Sequence, residues 1–184
     1  TGLGSMVFIK KLTASSSSTL SFVDGASSVV LDDTYKEYLF TFNNIHPSAQ
    51  ADFTFQGSTN TGSSYGVTAT TTYFKTYHNE AGNSTALAYD TERDEAQSTN
   101  FLKLNYAITN DNDSSNSGFL RLFNPSSTTF VKHFIADNQG EAGTNSLRSF
   151  VAGYFNTTSA VDAIQFKMST GNIDAGDICL YGIA

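Results

Sequence analysis

The sequence predicts an all-β domain, an antiparallel β-sandwich of jelly-roll character built from about ten short strands. Three observations lead there. The chain holds 15 Phe and 9 Tyr but no Trp, and Ser and Thr, at 23 each, make up a quarter of its 184 residues. Aromatic and β-branched residues fit a half-buried pleated surface, whereas the good helix formers Glu, Lys and Arg are scarce here. Apolar residues recur with a period of two in several stretches, and turn formers separate those stretches at near-regular intervals. No helical period is sustained, which argues against an α/β fold.

Taken in order, 6–12 (MVFIKKL) reads as a short strand and Ala14 to Ser18 as a flexible polar spacer. A strand at 19–23 ends at Asp24-Gly25. In 35–42, Tyr38, Phe40 and Phe42 share a face; in 51–57, Phe53 and Phe55 do. A Gly/Ser/Thr/Asn loop at 57–66 leads into a long β-branched strand at 67–77. Residues 78–100 read as a long polar loop with one helical turn near 92–98. Strands follow at 101–108, 118–123, 129–136 and 149–155, with a tight turn at Pro125-Ser-Ser. The stretch 161–168 points Ile164, Phe166 and Met168 inward, Gly171-Asn172 turns the chain, and 177–183 is the last strand. That last strand is apolar on both faces, so it is either central in a sheet or covered by a neighbouring subunit.

Residues 1–5 read as a vector-derived scar with Met6 as the native start, which leaves one domain at 6–184. That length buries enough surface to fold without disulfides or metals. The single cysteine, Cys179, excludes an internal disulfide and fits a reducing cytoplasm. Charged residues are only 15% of the chain, and the net charge is −7. With seven Lys and three Arg scattered, there is no basic stripe for nucleic acid or for an anionic membrane. No run is long enough to span a bilayer, and Lys10-Lys11 interrupts the first apolar run too early for a signal peptide.

Several motifs carry possible chemistry, and each has a plainer reading. Gly62-Ser-Ser-Tyr-Gly66 fits G-x-S-x-G, but a nucleophile elbow needs a strand before it and a helix after it; a Gly/Ser loop is the better reading. His46, His78 and His133 lack ligand spacing for zinc. Glu92, Asp94 and Glu95 could supply a glycosidase carboxylate pair, yet acidic runs usually face water. Asn110 to Gly118 is rich in oxygen ligands, but Asn116 stands where a calcium loop needs glycine and no Glu closes it. Sequons at Asn83, Asn112 and Asn156 are expected by chance in this composition. Tyr65, Tyr73 and Tyr77 could form a sugar-stacking platform, or pack the sandwich. No catalytic, metal or cofactor-binding residue is assigned.

Two stretches carry a resemblance. Thr19-Leu-Ser-Phe22 with Asp33-Thr-Tyr-Lys-Glu-Tyr-Leu-Phe-Thr-Phe-Asn-Asn-Ile45, and Ile164 through Leu180-Tyr-Gly-Ile183, resemble a family of virion structural proteins from tailed, often marine, bacteriophages. The resemblance covers the opening third of the chain and its closing segment; the middle matches only in character. It implies a β-sandwich on the particle surface or tail, present in symmetric copies, with no catalytic residues. The resulting expectation is a non-enzymatic virion component, a capsid decoration or tail/fibre protein, assembled in the host cytoplasm. Its partners are copies of itself and other virion proteins. The alternative is a carbohydrate-binding module for host-surface glycans.

Overall fold

The computed structural model describes residues 5–184, all of them in strands, turns and loops. Of the segment 1–5, residues 1–4 lie outside the described residues. Twelve strands run in chain order. They are β1 (Met6–Thr13), β2 (Leu20–Val23), β3 (Glu37–Pro47), β4 (Phe53–Ser58), β5 (Ala69–Asn79) and β6 (Thr85–Tyr89). After these come β7 (Leu102–Lys103), β8 (Asn116–Phe123), β9 (Lys132–Ala142), β10 (Asn145–Phe155), β11 (Ala163–Met168) and β12 (Ile173–Ile183). All pairings are antiparallel.

The strands form two unequal sheets. The larger has the order β1-β12-β3-β8-β9-β10-β5-β6 and the smaller β2-β11-β4-β7. Together they make a jelly-roll-like sandwich. Alternation decides which side chains lie between them: Tyr38, Phe40 and Phe42 of β3 and Leu120 and Leu122 of β8 point inward, as do Phe53, Phe55, Ile164, Phe166 and Met168 from the smaller sheet. Asn44, with φ of 51°, lies where β3 slips register against β8, so one residue in a left-handed conformation forms the bulge there.

The core is organised around Phe166. Its ring meets those of Phe22, Phe40 and Phe42 edge-on at 5.3–6.2 Å and lies nearly parallel to Phe53 and Phe55 at 5.7 and 6.4 Å. These rings come from both sheets, so one side chain joins the layers. Tyr35 lies across Gly182, where a Cβ would sit 2.2 Å from its ring. The two segments quoted for the phage resemblance are therefore packed together: β2 pairs with β11 and β3 with β12.

Three expectations need correcting. The loop predicted over 78–100 contains a strand, β6, which pairs with β5 from Phe74↔Tyr89 to His78↔Thr85. The helical turn expected near 92–98 is a single turn placed earlier, at 90–94, where the Arg93 and Asp94 N–H groups donate to the Asp90 carbonyl at 3.2 and 3.3 Å and the Glu92 N–H donates to the Asp90 carboxylate at 3.1 Å. The strand predicted over 101–108 shrinks to Leu102–Lys103 plus a bridge between Ala51 and Ile108. The cause is Asn105, whose buried side-chain oxygen takes the Phe53 N–H at 2.6 Å in place of a ladder bond. Four strands are also longer than expected, at 11 residues, and β5 keeps its expected length but is shifted by two residues to Ala69–Asn79.

A charge network pins the segment between β6 and β7. Lys75 Nζ lies 2.6 Å from Asp90, Arg93 lies 3.3 Å from Asp90 and 3.6 Å from Asp52. The Tyr106 ring sits 3.9 Å from both cations. Burial alone would raise the Asp90 pKa, but the Lys75 ammonium, the Glu92 N–H and Arg93 outweigh it and hold the carboxyl below its ordinary value.

Replacing Phe166 by Ala removes the shared ring and leaves a cavity, so it should cost about 3–5 kcal/mol in chemical denaturation. Asp90→Asn should cost about 2 kcal/mol at neutral pH, because Lys75 and Arg93 lose a partly buried counter-charge. Since the folded-state pKa of Asp90 is depressed, its contribution is complete above the ordinary value of 3.8 and is lost as pH falls through the lower folded value. Urea melts of the two proteins should therefore differ at pH 7 and converge in strong acid.

Candidate functional site

The feature without an explanation inside the fold is the outer face of the eight-stranded sheet. Eight strands about 4.8 Å apart give a face about 34 Å wide. Alternation sends to it the side chains not used in the core. On β5 and β10 these include Phe74 and Phe150, stacked at 4.8 Å and 14°. On β9 and β10 they are His133, Ile135 and Tyr154, around Ala152 and Phe123. Between β12 and β1, Phe8 packs edge-on to Tyr181 at 5.7 Å. Leu39 and Phe119 fill the middle of the face, set there by Leu39↔Tyr181 and Thr41↔Phe119 pairing.

Exposure shows how unusual this is. Among the described residues, eight large apolar side chains are well exposed, and six of them (Met6, Phe8, Phe74, Leu87, Tyr89 and Ile135) lie on this one face. Leu87 is 73% and Ile135 49% exposed. Scattered single exposures are ordinary; a contiguous patch marks a surface that becomes covered. Three dents lie on or beside the face, one of about 440 Å³ over Ala152 and two more polar ones near His78 and Gln139.

Most of the charges on this face are paired. Arg121 pairs with Glu37 at 3.1 Å, Arg148 makes a two-pronged contact with Asp137 at 2.8 and 2.5 Å, and Lys11 reaches Asp177 at 3.3 Å. The two arginines also lie over rings, Arg148 4.8 Å from Phe150 and Arg121 5.7 Å from Phe119. Exposed pairs of this kind stabilise the fold little. Their effect is to balance these six charges within the face; Glu141, at the far end of β9, keeps its negative charge and accepts the Ser114 hydroxyl.

The motifs singled out in the sequence do not converge. Gly62 to Gly66 lies between β4 and β5 with no helix after it, and Ser64 is held by Asn60 through its hydroxyl at 2.8 Å and its N–H at 3.0 Å. His46 bonds the Ser114 carbonyl at 2.7 Å; His78 and His133 stand on other strands. Among the described residues no group of three His, Cys, Asp or Glu is placed to hold a metal. Asp94 accepts the Tyr89 hydroxyl at 2.7 Å and Glu95 accepts the Asn100 amide at 3.3 Å, so these acids fasten the segment after β6. Tyr73 is fully buried and its hydroxyl bonds Ser149 at 2.6 Å; burial pushes its pKa well up. Tyr77 lines a separate cleft of about 660 Å³ with Gln50, Tyr106 and Asn145. Tyr65 borders another of about 550 Å³ beside Asn156.

Strand β9 shows what sequence reading missed. It buries Lys132, whose ammonium donates to the Phe130 and Thr157 carbonyls at 2.8 and 3.1 Å, while Ile135 points to solvent. Burial lowers the Lys132 pKa. The available signal was apolar residues at both parities, as in Tyr73-Phe74 and Phe150-Val151. Compared with known proteins, the chain matches no family model and no curated sequence.

Because the Arg148–Asp137 pair is exposed, Arg148→Ala should leave thermal stability nearly unchanged. It should instead raise the salt sensitivity of any self-association measured by sedimentation, since it leaves Asp137 uncompensated on a face whose charges are otherwise mostly paired.

Proposed function

We propose that this chain is a non-enzymatic structural component of a bacteriophage virion, a capsid decoration or tail/fibre subunit that works as a homo-oligomer. The observation that carries the reading is the outer face of the large sheet, where exposed apolar side chains gather and most charges are paired within the face. A building block needs area that stays soluble during synthesis and is buried on assembly. The face is about 34 Å wide, and over roughly seven residues of each strand it offers about 800 Å² per copy, the size of a standard stable interface. The pairing of most charges within the face lets like chains approach each other there, despite the repulsion their net charge creates elsewhere. Copies of the same chain are therefore the first partner, and other virion proteins the second, with folding in the host cytoplasm before incorporation. The resemblance of the β2–β3 and β11–β12 segments to phage virion proteins supports the same reading.

A second reading, binding of a host-surface glycan, is favoured by the cleft that Tyr77 shares with Gln50 and Asn145. Tyrosine rings and side-chain amides suit neutral sugars. A screen against neutral oligosaccharides that shows no binding at millimolar concentration removes it.

Light scattering after size exclusion tests the main reading. The wild-type chain should elute at a multiple of 19.8 kDa. Ile135→Glu, which adds a negative charge beside Arg121 in the centre of the face, should reduce that mass without altering the circular dichroism spectrum. A wild-type protein that stays at 19.8 kDa at every concentration contradicts the proposal.

A further inference from the structure

The large sheet has two free edges, β1 and β6, and they are built differently. β1 carries Lys10 and Lys11 and a register shift between Phe8 and Lys10. Lysines and bulges are the usual devices by which an edge refuses another strand. β6, Thr85-Ala-Leu-Ala-Tyr89, has no charge, no proline and no register shift.

The direction of its free hydrogen-bonding groups is fixed by the ladder. Asn79 N–H donates to Ser84 O at 3.0 Å and Asp90 N–H to Tyr73 O at 2.9 Å. In an antiparallel pair the bonded positions alternate, so between these ends the bonded pairs are Tyr77–Ala86 and Lys75–Ala88. The N–H and C=O groups of Thr85, Leu87 and Tyr89 therefore point away from β5. The side chains of the same three residues lie on the outer face, with Leu87 and Tyr89 among the most exposed apolar groups of the chain.

We propose that β6 pairs antiparallel with β6 of a second copy about a two-fold axis at Leu87. In that register Leu87 faces Leu87, Thr85 faces Tyr89, and the outward N–H and C=O groups of all three residues are satisfied in both copies. Thr opposite Tyr is a favourable β-branched–aromatic pair, and no like charges stand opposite each other. The two large sheets become one, and their apolar outer faces run on across the seam. The inference rests on the reading of the chain as one that assembles with copies of itself, and adds the seam and the symmetry.

The test is amide exchange on the full chain, together with its mass, for wild type, Leu87→Pro and Ile135→Glu. Proline at 87 removes only an N–H that points away from β5, so the internal ladder is kept. In assembled wild type the amides of Thr85, Leu87 and Tyr89 should exchange as slowly as those of Ala86 and Ala88. Leu87→Pro should halve the assembled mass and release Thr85 and Tyr89 to fast exchange, while Ile135→Glu leaves all three protected. Leu87→Lys, which sets two cations on the axis and leaves the backbone intact, should halve the mass likewise if the proline variant fails to fold. Fast exchange at 85, 87 and 89 in an assembled wild type overturns the seam but leaves the outer-face reading standing. A monomeric wild type overturns both. Protection that appears only when a different protein is added assigns the edge to that partner, and also overturns the two-fold seam.

Discussion

The packing of aromatic rings between the two sheets is the interaction on which the rest depends. Phe166 contacts rings from both layers, and the hydrophobic cluster around it is continuous from Phe22 to Phe155. Edge-to-face contacts of this kind add to the burial of apolar area and fix geometry as well. With the layers set, alternation leaves no choice about the other side of the large sheet: whatever is not in the core is on the outer face. The outer face is thus a direct consequence of core packing, and its apolar content is a property of the sequence that folding alone does not require.

The strands that were legible in the sequence are those whose period of two stands out. Ile164-Phe166-Met168 reads correctly because Gln165 and Lys167 separate its apolar residues, and Tyr38-Phe40-Phe42 because aromatic rings recur at every second position, although Leu39 lies between two of them. β6 was not legible. Thr85-Ala-Leu-Ala-Tyr89 is short, sits among polar residues, and shows only Thr85 and Tyr89 as strand formers; it is a strand because β5 offers it a free edge. Residues 101–108 failed in the opposite direction. Their composition suits a strand, but the Asn105 side chain takes over a backbone bond and ends the ladder after Lys103.

The outer face was half legible. The notion that Asp177 to Ile183 carries apolar residues on both faces was read from sequence, and β12 does lie inside the sheet, between β1 and β3. The same doubling in Tyr73-Phe74, Phe150-Val151 and Phe134-Ile135 has its meaning only once register is known. Pairing brings Phe74, Phe150 and Ile135 onto adjacent strands of one face. Lys132 compounds the difficulty: a buried cation beside an outward-facing isoleucine inverts the pattern from which inside and outside are normally told apart.

The central claim is that the outer face is covered when the chain is at work. Hydroxyl-radical footprinting of the assembled protein addresses it most directly, with Phe130 as the internal reference, since it is 68% exposed and lies off the face in the loop before β9. The account predicts that Phe74, Ile135 and Phe150 are oxidised far more slowly than Phe130 in the assembled protein, and that Phe74 and Ile135 label readily once it is diluted to monomers. Oxidation of Phe74 and Ile135 in step with Phe130 at every concentration would contradict it.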